Sequence, residues 1–291
     1  MRFWQSLAFT EPDQLLDVAK ICEEVGFDGV MVSDHLLHFE QLQSRYPYSA
    51  DGRPPAFSAE TAWPDCWSII AAMAAVTTRL RFVTNVFILP LRHPVEVAKA
   101  TSSVATFCGG RIALGAGAGW MKDEFEVLGV DFHTRGRRFD ECIEVLRKLW
   151  SGAMVEHQGR FFNFPRVQMR PVPPGPIPIY VGGMSDAALR RAARLGDGWL
   201  GAGQTPEQAV ATLERLDTLR REAGRATTPF DAVVPLTVPP TSDVLQRLAD
   251  AGAGGTVSYP FTFVIGPTST LAQKRAYLEG YAANVIRPLR G

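Results

Sequence analysis

Charge of one sign is what this 291-residue sequence lacks: 30 lysines and arginines face 30 aspartates and glutamates, and no run of like charge marks a tail. A balanced chain builds no field to draw nucleic acid or an anionic membrane, so the expected partner is a small molecule. Long hydrophobic runs are missing too. The apolar stretch from Ile69 to Val76 is eight residues, where a membrane helix needs roughly 20. Met1-Arg2-Phe3-Trp4 runs into Glu11-Pro12-Asp13 with no apolar signal core, and reads as the first strand of a cytoplasmic protein. Cysteine is scarce. Cys22, Cys66, Cys108 and Cys142 form no C-x-x-C pair and have no histidine at zinc-finger spacing, which leaves them as buried thiols.

What is there is ordinary globular usage, 46% hydrophobic and 21% charged, enough to fill a substantial core. The length suits one (β/α)8 barrel, which takes about 250 residues, so residues 1–291 are expected to form one domain. Apolar or β-branched runs alternate with amphipathic helical patterns along the chain, predicting a parallel sheet wrapped by helices. The strands fall at 2–9, 29–33, 80–87, 111–117, 177–181, 198–201, 232–238 and 255–259. Eight units without a glycine-rich turn after the first strand favour a closed TIM barrel over a doubly wound sheet. Pro12 and Pro94 suit first helical turns, and Gly26, Gly109 and Gly196 suit helix ends. Phe139, Cys142, Ile143, Leu146, Leu149 and Trp150 share one helical face and should pack on the barrel. Two insertions stand out: 34–64 after strand two, the better lid candidate, and 153–175 before strand five, with a hairpin turning at Gln158-Gly159.

Active sites in this fold sit at the C-terminal strand ends. Strand two ends Val32-Ser33-Asp34-His35, a carboxylate beside an imidazole able to exchange a proton near neutral pH; equally, Asp34 caps a turn and His35 packs. Strand three carries Asn85-Val86 in an apolar run, a bulge or a ligand contact. Strand four ends Gly115-Ala116-Gly117-Ala118-Gly119-Trp120, which lets a flat ligand approach the backbone or simply packs tightly. Strand five runs into Gly182-Gly183-Met184-Ser185 at a helix start, where free amides suit a phosphate and Ser185 also serves as an N-cap.

Other barrel chemistries find little support. Only Asp34, His35 and His38 cluster as possible metal ligands, so no metal is expected. Lys20, Lys99, Lys148 and Lys274 fall in predicted helices and Lys122 in a loop, leaving no Schiff-base lysine at a strand end. Paired carboxylates for glycoside chemistry are absent there as well. With so few groups to act alone, a cofactor is expected to carry the reaction.

Taken in order, Ser33-Asp34-His35, Thr84-Asn85-Val86, Arg111 to Trp120 and Val181-Gly182-Gly183 resemble the luciferase-like monooxygenase superfamily. Gly119-Trp120, Arg135-Gly136-Arg137-Arg138 and the stretch 188–199 are similar to its coenzyme F420-dependent oxidoreductases. The resemblance spans about residues 20 to 200. It implies a deazaflavin across the barrel mouth with Asp34 and His35 beside the ring. Asn85-Val86 would form the bulge beneath it, often a non-prolyl cis peptide in relatives. Gly117, Ala118 and Gly119 would offer backbone, and Gly182, Gly183, Met184 and Ser185 would hold the phosphate. The superfamily's sugar-phosphate dehydrogenases carry a glutamate where Trp120 stands, so His35 becomes the leading catalytic group, with Asp34 beside it. Trp4, His38, Trp63 and Trp120 would shape an aromatic substrate pocket. The expected activity is hydride transfer between F420 and a small organic substrate, in a homo-oligomer. One alternative is an FMN-dependent monooxygenase with a partner reductase and oxygen; another is a barrel that binds flavin without turnover.

Overall fold

A computed structural model describes residues 1–54 and 58–290. Its strands are β1 (Arg2–Ser6), β2 (Gly29–Val32), β3 (Arg81–Thr84), β4 (Phe87–Ile88), β5 (Ile112–Gly117), β6 (Val155–Gln158), β7 (Asn163–Val167), β8 (Ile179–Gly182), β9 (Gly198–Leu200), β10 (Asp231–Pro235) and β11 (Ala253–Ser258). Between them lie α1 (Leu15–Val25), α2 (Cys66–Ala75), α3 (Pro94–Phe107), α4 (Lys122–Val127), α5 (Arg135–Trp150), α6 (Asp186–Leu195), α7 (Pro206–Glu222), α8 (Ser242–Asp250), α9 (Phe261–Val264) and α10 (Leu271–Tyr281). Parallel pairing runs β1-β2-β3-β5-β8-β9-β10-β11 and returns to β1, closing a TIM barrel. No helix among the described residues is long and apolar enough to cross a membrane.

The barrel is filled from within by Trp4, Met31, Val83, Ala113, Tyr180, Leu200 and Val233, each buried, with Val257 against them. Glycine makes the room. A Cβ on Gly29 would lie 2.3 Å from the Trp4 ring, and one on Gly115 would lie 1.8 Å from the Thr84 carbonyl oxygen. Outside the sheet, the α5 stripe Phe139, Cys142, Ile143, Leu146, Leu149 and Trp150 is buried in the main core, as its periodicity predicts. The cysteines are all free and buried.

Several boundaries differ from expectation. The first strand stops at Ser6, because the amide of Thr10 turns back to the Leu7 carbonyl at 3.2 Å. The third is interrupted at a cis Asn85–Val86 peptide and resumes as β4, which pairs with β5 further along. The hairpin pairs Gln158 with Asn163, and the Gly159 amide reaches the Phe162 carbonyl at 3.0 Å, so the turn occupies 159–162. Gly196 ends α6 in an extended conformation, whereas Gly26 ends α1 with φ 104°.

Gly115→Ala should lower stability by about 1–3 kcal/mol, since the added methyl meets rigid backbone. Gly280→Ala, in helix α10 with open space around it, should raise stability by about 0.5–1 kcal/mol. Urea unfolding of both variants beside the parent checks the pair.

Candidate active site

The mouth is assembled from the ends of β2, β4, β5 and β8. Asp34 is buried, and its two oxygens accept from the Ile88 amide at 2.9 Å and the Arg92 guanidinium at 2.6 Å. Burial pushes its carboxyl above the usual range, against the pull of Arg92 and that amide. Asp34 thus ties the end of β2 to the segment following the strand-three break, and Arg92 also covers the Phe87 ring at 4.5 Å.

His35, the next residue, turns Nδ1 toward Glu124 Oε1 at 3.5 Å. Glu124 stands in the first turn of α4 and is 2% exposed. The same oxygen accepts from the Leu36 amide at 2.7 Å and the Leu37 amide at 3.4 Å. Burial alone would raise the Glu124 carboxyl, but His35 and those two amides outweigh it and hold it low. Its neighbour Asp123 accepts from the amides of Gln43 at 2.9 Å and Ser44 at 3.1 Å, and these with the Ser44 hydroxyl keep its carboxyl low against desolvation. Adjacent carboxylates therefore pin the insertion after β2, which has no helix or strand among its described residues. Sequence reasoning missed both. The available signal was two acids in a helical first turn shortly after the Gly119-Trp120 motif.

At the strand-three break, Val86 is wedged between strands: a Cβ on Gly117 or Gly182 would come within 2.6 or 2.5 Å of its methyls. Gly183 takes φ +123°, and its carbonyl accepts from the Trp199 indole at 2.8 Å. Because a trans peptide sets C=O and N–H in opposite directions, this bond turns the Met184 amide away from Trp199. That amide meets the Tyr48 hydroxyl, which reaches across from the insertion. Ser185 caps α6, accepting from the Ala188 amide at 3.2 Å. Ala118 and Gly119 follow β5 on the rim, and Arg135 grips the Gly119 carbonyl while Arg138 grips that of Pro90. The Arg135-Gly136-Arg137-Arg138 motif buttresses the mouth from behind.

Rings link these parts. His35 lies 5.2 Å from Trp63 and 6.0 Å from Trp120, Trp120 lies 5.2 Å from Tyr46, and Tyr46 lies 5.5 Å from Tyr48. On the other side Trp63 meets Phe9 at 5.1 Å, and Phe9 meets Phe263 at 5.7 Å. Phe9 holds φ 61°, a left-handed conformation costing about 1–2 kcal/mol in a non-glycine residue. Of the expected pocket residues, Trp63 and Trp120 join this arc, Trp4 fills the barrel interior, and His38 is exposed on the insertion. Tyr46, Tyr48, Phe9, Phe263 and Trp199 were not singled out from sequence. No group of three or more His, Cys, Asp or Glu side chains among the described residues is placed to hold a metal ion.

A closed parallel barrel with a histidine–carboxylate pair and a glycine-rich helix entrance at its mouth defines a class that comparison makes specific. The luciferase-like monooxygenase family matches residues 3–283, and the chain belongs to it. It is 39% identical over 288 residues to the uncharacterized protein Rv0940c of Mycobacterium tuberculosis, covering 98% of this chain and 99% of that one. It is 30% identical over 247 residues to an F420-dependent glucose-6-phosphate dehydrogenase of Nakamurella multipartita, covering 82% of this chain and 67% of the relative. In fold it matches an F420-dependent secondary alcohol dehydrogenase solved with an F420-acetone adduct, with a TM-score of 0.79, 17% identity and coverage of 100% and 99%.

Glu124→Gln keeps the shape but cannot ionise, and at pH 7 it should cost about 1.5–3 kcal/mol, the worth of hydrogen bonds to a charged acceptor. A carboxyl held low stabilises the fold above its ordinary pKa and loses that contribution as pH falls through the lowered value. The deficit of the variant, read from urea midpoints, should therefore shrink as pH falls below about 4.3. A deficit that stayed constant with pH would mean that Glu124 does not carry its charge in the folded protein.

Proposed function

We propose that this protein is a coenzyme F420-dependent oxidoreductase that moves a hydride between the deazaflavin and a small organic substrate, with His35 handling the proton. The observation that carries this reading is the His35–Glu124 pair: a buried carboxylate faces Nδ1 at 3.5 Å, fixing the ring and leaving Nε2 on its opposite side as the atom that gives or takes a proton. Glu124 acts through His35 and is a positioning residue. Asp34 is one as well, since its oxygens are committed to Ile88 and Arg92.

The chain's own residues suit such a cofactor. Gly117 and Gly182 leave space only because they lack a Cβ, and Val86 projects between them as a platform. Asn85, Ala118 and Gly119 would border the ring. Gly182, Gly183, Met184 and Ser185 would hold the phosphate at the start of α6, where amides and the helix dipole favour an anion, with the Gly183 carbonyl tied back by Trp199. When bound, the deazaflavin supplies two-electron hydride chemistry. The residues around it orient the substrate, exclude water and pass one proton through His35 Nε2.

FMN offers a phosphate to the same amides, and the family's name covers monooxygenases, so the cofactor is the point to test. Fluorescence titration of purified cofactor-free protein should give tighter binding of F420 than of FMN. Tighter FMN binding would transfer the reading to an FMN monooxygenase with a reductase partner, and binding of neither would end it. With F420 bound, His35→Ala should lose about 10²–10⁴-fold in turnover, the usual worth of a general acid or base, while cofactor affinity stays within a few-fold.

A further inference from the structure

The substrate side of the mouth has a chemistry of its own. The loops following β1 (7–14), β8 (183–185), β9 (201–205), β10 (236–241) and β11 (259–270) contain no lysine or arginine. On the remaining loops and in the first turn of α4, Arg92 is held by Asp34, Lys122 pairs with Glu126, Arg45 packs on Gly52 of its own loop, and Arg53 is exposed on the insertion. Those five loops therefore offer no lysine or arginine to balance a dianionic phosphate on a substrate, and the cofactor reading above assigns the amides at the start of α6 to the cofactor.

Apolar groups take the place of cations. Leu36 and Leu37, directly after His35, are 43% and 40% exposed, and Phe263 and Val264 are 49% and 40% exposed. Phe9 presents its ring from a left-handed backbone position to both Trp63 and Phe263, and Trp63 meets the His35 ring. Leu7, Ala8, Phe9, Ser33 and Trp63 line a cleft between the β1 and β2 loops. Exposed apolar side chains from separate loops around one histidine mark a surface that binding covers.

We propose that the substrate is uncharged and largely apolar, with a ring or branched carbon skeleton that packs on Phe9, Trp63 and Phe263 and turns one carbonyl or hydroxyl oxygen to His35; a phosphorylated sugar is not accepted. This rests on the cofactor reading above only for the reaction. With a deazaflavin bound to supply hydride chemistry, an alcohol carbon would give up a hydride to it while His35 took the hydroxyl proton, leaving the carbonyl, or the reverse.

Binding can be read without turnover. The protein, with and without saturating F420, is titrated calorimetrically with cyclohexanone, 4-tert-butylcyclohexanone and glucose 6-phosphate. The bulky ketone should bind at least about tenfold tighter than cyclohexanone, in line with what added methylenes are worth in an apolar pocket. Phe263→Ala, at a half-exposed position, should erase most of that increment while weakening cyclohexanone, which buries less surface, by a smaller factor. Phe9→Asn, which suits the left-handed backbone, should do the same. Glucose 6-phosphate should give no binding heat. The inference is overturned if glucose 6-phosphate binds as tightly as the bulky ketone, if neither ketone binds, or if the increment survives in both variants. F420 binding without ketone binding would sink this inference alone, and ketone binding without F420 binding would uphold it while sinking the cofactor reading.

Discussion

A carboxylate with 2% of its surface exposed is tenable only where donors surround it, and Glu124 finds its donors in the insertion that follows β2. It faces the His35 ring and accepts from the two amides after it, while Asp123 takes two more amides further along the same segment. The described residues of the segment form no helix or strand to satisfy its backbone, so these acids substitute for a ladder. Fixing the insertion and fixing the imidazole are one act. In the ring arc from Trp63 through His35 and Trp120 to Tyr46 and Tyr48, every member but Trp120 lies on the insertion so held, and Trp120 stands just before the acids that hold it.

The mouth then divides by chemistry. On the β8 side backbone amides gather: Trp199 pulls the Gly183 carbonyl down, the Met184 amide turns up, and Ser185 caps the helix. On the β1 and β11 side apolar rings gather around Phe9 and Phe263. His35 stands between a region suited to an anion and a region suited to carbon. Asp34, though adjacent in sequence, serves the scaffold, joining β2 to the chain after the strand-three break through Ile88 and Arg92.

Much of the frame was legible in the sequence because its signals are local. Helix α6 lies at Asp186–Leu195 and its Ser185 cap is where strand-to-helix spacing predicts it, and the α5 stripe reads directly from 3.6-residue periodicity. At Asn85–Val86 the one amide in an apolar run left a bulge or a ligand contact open, and the cis peptide was legible only through family resemblance. The Glu124 contacts span 87 and 88 residues, and the Trp199 bond depends on which way one peptide plane faces. Trp4 reads like any aromatic near a strand end, and only the pleat, with Gly29 and Gly255 opposite, turns it into the barrel. Phe9 and Phe263 meet through the closure of the barrel, which brings the first and last strands together.

Diffraction from crystals grown with F420 tests the central claim most directly. The account predicts the phosphate at the start of α6, on the amides of Met184 and Ser185, the tricyclic ring resting on Val86, and His35 Nε2 within hydrogen-bond reach of the space above the ring. A phosphate bound elsewhere, or a ring lying with His35 turned away from it, would contradict the account.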